Sequence, residues 1–161
     1  MEIKESADPA VIAAVHEATV TVAYRPYFPD SPPPTRAELR GIWGERLADP
    51  TAVALVAYSS GHPVGAVMAR ADPEFPGEGQ ILGLHVVPSS WGQGIGGALH
   101  DDALTVLRVG GHVVAGLWVI EANDRARGMY ERRGWVLRPG VTKLAHAIPE
   151  VRYRRNLGVL L

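Results

Sequence analysis

The chain has 161 residues, 47% hydrophobic and 20% charged, and its 16 basic and 17 acidic residues give a formal net charge of −1. That balance supplies neither the basic footprint of a nucleic-acid binder nor a polybasic membrane docker. The absence of cysteine excludes disulfides, thiolate metal sites and a cysteine nucleophile. Length alone predicts one domain over residues 1–161, and 18 glycines with 13 prolines make it loop-rich without low complexity.

Residues 2–5 read as a short first strand. Asp8-Pro9 opens a helix with proline in its first turn, where the missing N–H costs nothing, and Val11, Ile12, Val15 and Ala18 mark its apolar face. Pro26, Pro29 and Pro32-Pro33-Pro34 form a loop ending at Thr35. With Glu38 three residues on, Thr35 predicts a capped helix that turns Leu39, Ile42, Trp43 and Leu47 inward. Ala52–Tyr58 and Val64–Ala69 read as strands joined by the turn Ser60-Gly61-His62-Pro63. Asp72–Gly79 reads as a loop whose acidic start, Asp72-Pro73-Glu74, is either simply solvated or able to attract a cation. Gln80–Val87 is a third strand, and Ile95–Val109 a helix with Ile95, Leu99, Ala103, Val106 and Val109 on one side. His112–Ile120 is a nearly continuous apolar run, as in a strand buried on both faces. A helix over Asn123–Arg133 and strands over Gly134–Arg138 and Val151–Leu157 complete the prediction.

The expected fold is therefore α/β with a mixed sheet. Antiparallel strands flank a central parallel βαβ pair spanning Gln80–Ile120, with helices on both faces. The N-terminal residues lack a signal peptide's apolar segment, and the run Val113–Ile120 is too short to cross a bilayer, so a cytoplasmic location is expected. The six histidines show no metal-type spacing, and no metal is expected.

The most informative stretch is Val86–Leu99, VVPSSWGQGIGGAL. Glycines at 92, 94, 96 and 97 lie between a strand and the first turn of a helix. There the unpaired N–H groups and the helix dipole favour an anion such as phosphate. Gly92-x-Gly94-x-x-Gly97 matches the dinucleotide fingerprint literally. However, Pro88-Ser89-Ser90-Trp91 separates strand from glycine, and the acidic candidate Glu121 lies beyond the usual spacing. No Gly-Lys-Ser/Thr follows, so the Walker pattern fails.

This run resembles the acetyl-CoA-binding motif of the GNAT N-acyltransferase superfamily, Q/R-x-x-G-x-G/A. Gly94 and Gly96 stand in its glycine places, and Trp91 replaces the usual Gln or Arg. Asn123, Ala126, Tyr130 and Gly134-Trp135 resemble the same family's N-x-x-A-x-x-x-Y-x-x-x-G-aromatic pattern, and the order of elements agrees from residue 1 to about 157. The resemblance implies the GNAT fold and transfer of an acetyl group from acetyl-CoA to a primary amine of a small molecule or peptide, by direct attack in a ternary complex. It also implies that the CoA diphosphate sits on the loop N–H groups, with Trp91, Gly92, Gln93, Gly94, Gly96, Gly97 and Asn123 as cofactor contacts. The pantetheine arm would pair with the strand edge at Leu84 and Val86. Small members of the family often pair, so a homodimer is a further expectation.

For chemistry, Tyr130 is expected to protonate the departing thiolate. An alkylammonium of pKa about 10.4 must also lose a proton before attack. The strand position that carries a glutamate in some members is Gln80 here, leaving Glu78 and His85 as candidate bases. Strand alternation points His85 to the opposite face unless a bulge intervenes. Tyr24, Tyr27, Phe28 and Trp43 are candidates for the acceptor pocket. Two other readings compete: a CoA-binding or sensing domain without turnover, and a nucleotide-dependent oxidoreductase.

Overall fold

Seven extended segments build one sheet. The computed structural model describes residues 1–158, with strands in the order β1-β2-β3-β4-β5-β7-β6. These are β1 (Glu2–Glu5), β2 (Val53–Ser59), β3 (His62–Ala71), β4 (Gly79–Val86), β5 (Val114–Ile120), β6 (Val136–Ala145) and β7 (Ile148–Asn156). Every neighbouring pair is antiparallel except β4–β5. The helices are α1 (Pro9–Ala23), α2 (Arg36–Leu47), α3 (Ile95–Val109) and α4 (Asp124–Arg132).

The helix starts follow from local chemistry. Asp8 accepts from the N–H of Ala10 with Pro9 in the first turn, and Thr35 and Glu38 form a reciprocal capping box. Asn123 caps α4 by accepting from Ala126 N–H at 3.1 Å. α1 and α2 cover one face of the sheet, where Ile12, Val15, Leu39 and Trp43 bury against Ala54, Val56, Ala66 and Met68. α3 covers the other, packing Ile95, Leu99, Leu104 and Leu107 on Leu55, Val67, Ile81 and Leu117. The predicted stripe of α3 is buried at Ile95, Leu99 and Ala103 and packs on the core at Val106, but not at Val109. Leu104 and Leu107 are inside, whereas Val109 is 73% exposed, because the helix ends beyond the edge of the core.

The largest departure from the predicted elements is at the C-terminal end. The predicted strands 134–138 and 151–157 belong to one long hairpin, β6–β7. Its register slips between Leu137 and Thr142 around Pro139-Gly140, and it closes through His146 and Ala147, both at positive φ. Such tight turns ordinarily use Asn or Gly. The loop after β3 also differs from the solvated segment expected. Asp72 is buried, accepts from the N–H groups of Glu74 and Phe75, and pairs with the equally buried Arg152 of β7. Arg152 also reaches Glu78 at 3.3 Å and lies over the Phe75 ring at 4.1 Å. Gly116 makes room for this guanidinium, since a Cβ there would stand 2.6 Å from its Nε. Among the described residues no helix is long and apolar enough to cross a membrane.

Candidate active site

β4 and β5 are paired only at Gly79–Ala115 and Gln80–Gly116. Beyond those two pairs the parallel strands part and leave backbone edges without strand partners. A cleft of about 1830 Å³ follows this split, from the glycine loop past Leu82–Val86 and Leu117–Ile120 to α1, α2 and the β6–β7 hairpin.

At one end stands the start of α3. Gly92 and Gly94 have φ of +76° and +80°, and Gly94 is the N-cap residue. Left-handed backbone at both positions turns the chain sharply without a Cβ penalty. The first loop-to-helix bond is Ala98 N–H to Gly94 O. Among the described residues no protein atom accepts from the N–H groups of residues 92–97. Gly92, Gly94 and Gly96 line the cleft, as do Leu84, Val86, Trp91 and Asn123. Gln93 is exposed and Gly97 lies off the lining, where a Cβ would stand 3.1 Å from Cζ of Arg133. Trp91 has a specific local role: its indole N–H donates to the Val86 carbonyl at 2.7 Å, and Arg125 covers its ring at 5.1 Å. The Val86 carbonyl, an expected cofactor contact, therefore already has a protein donor.

Farther along, a bulge in β4 decides which side chains face α1. The register slips by one residue between the pairs Ala66–His85 and Met68–Leu82, with Gly83 at φ +63°. That extra residue turns His85 onto the face shared by Gln80 and Leu82. His85 is buried and stacks on His16 of α1, with ring centroids 4.0 Å apart and Tyr24 edge-on at 6.0 Å. Trp43 donates its indole N–H to Nδ1 of His16 at 3.0 Å, which fixes the His16 proton on Nε2. Nδ1 of His85 is sealed without a partner.

Burial, with Arg46 nearby, lowers His16 to about 4. Burial first, then His16 and Arg46, pushes His85 well below the ordinary imidazole value. Both rings are therefore neutral near pH 7. The consequence for stability has a definite sign. Between the unfolded value of about 6.5 and the folded values, the unfolded chain takes up protons that the folded chain refuses, so stability falls with falling pH. For His16 the full loss, reached near pH 4, is at most about 3 kcal/mol. We expect Tm to fall between pH 6.5 and 5, where carboxylates are still ionised, and to fall less steeply in His85→Gln. Equal slopes would show that the imidazoles titrate alike folded and unfolded.

Tyr130 lies across the cleft, its ring edge-on to Trp135 at 6.0 Å and tilted to His100 at 6.4 Å. Burial, then Tyr24, raises its phenol well above the ordinary value, and among the described residues no protein atom bonds its hydroxyl. His100 beneath is held as a neutral ring that accepts from the Trp135 indole at 2.8 Å and donates to Asp101, also at 2.8 Å. Glu78 is positioned differently from the other candidates. It pairs with Arg152 and with Arg154 at 3.0 Å, and it does not line the cleft. Tyr24, Tyr27 and Phe28 do line it, while Trp43 is core.

Glu150 is a lining residue that sequence reasoning missed. Burial raises its carboxyl above the usual range, with Glu74 adding to the shift. Its only signal would have been membership of a hairpin whose turn carries no turn residues.

The chain matches the acetyltransferase (GNAT) family over residues 17–135. It is 37% identical over 117 residues to the mycothiol acetyltransferase of Beutenbergia cavernae, covering 71% of this chain and 38% of that protein. The chain spans about two fifths of the length of the curated relatives it matches. Its fold is that of an N-acetyltransferase from Staphylococcus aureus, with TM-score 0.76, 16% identity and 98% of each chain covered. It is also that of the PaiA N-acetyltransferase from Thermoplasma acidophilum, solved in complex with coenzyme A, with TM-score 0.69, 12% identity, and 97% and 99% of the two chains covered. With the mixed sheet, the parted β4–β5 pair and the glycine turn in place, the chain belongs to the acetyltransferase (GNAT) family.

Proposed function

We propose that this chain transfers an acetyl group from acetyl-CoA to a primary amine, of a small molecule or of a peptide, by direct attack within a ternary complex. The observation that carries the reading is the run of N–H groups at residues 92–97, which have no protein acceptor among the described residues and stand at the mouth of the β4–β5 split. Convergent amides at a helix start are matched to a diphosphate. The pantetheine arm would lie along the β4 edge at Leu84 and Val86, as an extended chain adds to an unpaired strand.

In the transfer, the amine nitrogen bonds to the thioester carbon, the C–S bond breaks, and the thiolate takes a proton. We assign proton donation to Tyr130, whose free hydroxyl faces the cleft. Proton acceptance from the amine, directly or through water, falls to neutral His85. Asn123, fixed by its capping bond, borders the donor end. Holding donor and acceptor in one groove is catalysis by positioning.

Thermal shift with acetyl-CoA, CoA, NAD and NADP tests the donor. Acetyl-CoA at a hundred times its Kd should add about 2.7 kcal/mol of stability, and Gly94→Val should abolish the gain. Thiol release with a panel of amines then tests turnover. Stabilisation by a nicotinamide cofactor alone would overturn the reading.

A further inference from the structure

The acceptor half of the cleft carries two guanidinium groups without a carboxylate between them. Arg46 of α2 and Arg70 of β3 both line the cleft, both are half-buried, and among the described residues neither forms an ion pair. Each is held in orientation. Arg46 lies over the Trp43 ring at 4.7 Å, and Arg70 donates through Nε to Oε1 of buried Gln80 at 2.9 Å. That bond spends the Gln80 carbonyl oxygen and leaves its amide N–H groups as donors.

Among the described residues no acid forms an ion pair with either arginine, although Asp49 lies near enough to Arg70 to be held lower by its charge. Glu45 is exposed on the same lining, and Asp49 is bound by the backbone and hydroxyl of Thr51, each at 2.8 Å. Burial first and then Arg70 lower Arg46, and Arg46 adds to the burial that lowers His16 and His85. Two oriented, half-buried cations that repel each other are costly unless an anion joins them, and guanidinium forks match carboxylate and phosphate oxygens in pairs.

We infer that Arg46, Arg70 and Gln80 form an anion subsite, and that the acceptor is an amine bearing a carboxylate or phosphate group, held there while its nitrogen lies at His85. This rests on the transferase reading above and specifies its substrate class.

The test is acetylation kinetics on matched amines: β-alanine against β-alaninamide, and O-phosphoethanolamine against ethanolamine. The acidic member of at least one pair should have a kcat/KM some 10-fold or more above its neutral partner, the difference lying in KM. The pair that responds identifies the anion. Arg46→Gln with Arg70→Gln should erase the acidic member's advantage in KM over its neutral partner, and Arg46→Lys should restore only part of it.

Calorimetry of N-acetyl-β-alanine and its amide on the CoA-loaded protein reads the same preference without turnover. Equal preference in both measurements, or a preference that survives the double variant, overturns the anion subsite alone. Failure of acetyl-CoA to bind overturns the transferase reading, and this one with it.

Discussion

Replacing Tyr130 by phenylalanine is expected to lower kcat about 100-fold, within the range that general acids contribute, while leaving acetyl-CoA affinity and Tm nearly unchanged. The ring keeps its edge-on contacts with Trp135 and His100, so only the hydroxyl is lost. Its phenol is raised by burial and then by Tyr24, so it stays protonated throughout the working pH range. A free thiol has a pKa of about 8.5, so a phenol raised above 10 would give up its proton uphill if transfer came before C–S cleavage. The proton must instead follow charge onto sulfur as the bond breaks, and the hydroxyl acts first as a hydrogen-bond donor to the developing thiolate. A second expectation follows: kcat of the native chain should show no alkaline loss near pH 8–9. Full turnover by the phenylalanine variant from pH 6 to 10 would remove Tyr130 from the reaction.

The glycine-turn end of the cleft was legible because its physics is local. A glycine turn, a capping asparagine and a helix start are each written within a few residues, and they stand where the motif placed them. The caps Asp8 and Thr35 were legible for the same reason. The other end of the cleft was not, because it is assembled by long-range pairing. Arg70 meets Gln80 across the β3–β4 ladder, and Arg46 arrives from α2, laid over the Trp43 ring. Glu150 enters through a hairpin whose turn residues, His146 and Ala147, carry positive φ without a residue type that advertises it. Asp72 looked like part of a solvated loop because its partner, Arg152, lies on β7, remote in sequence. His85 was the intermediate case. Alternation assigned its face wrongly by one residue, and the deciding mark was a glycine inside a strand, which signals either a bulge or a close neighbour. Gly83 is both.

Gly83→Ala is therefore expected to cost about 3 kcal/mol, the sum of about 1 for left-handed backbone and about 2 for overpacking. An added Cβ would overlap Cη2 of Trp43 and stand 2.6 Å from Cζ2. That ring is fully buried and tied through Nε1 to His16, so it has little room to yield. For a chain of this size such a loss should lower Tm by roughly 10 °C. Gly61→Ala separates the two costs. Gly61 also has positive φ, +77°, but nothing lies within 4 Å of its added Cβ, so about 1 kcal/mol of backbone strain is expected there. Activity should divide the variants more sharply than stability does. At temperatures where both are folded, Gly61→Ala should turn over normally. Gly83→Ala displaces Trp43, releases Nδ1 of His16 and unstacks His85, so its kcat should fall at least 10-fold with acetyl-CoA binding intact. Equal Tm and equal kcat in the two variants would mean that the bulge neither packs against Trp43 nor aims the imidazole.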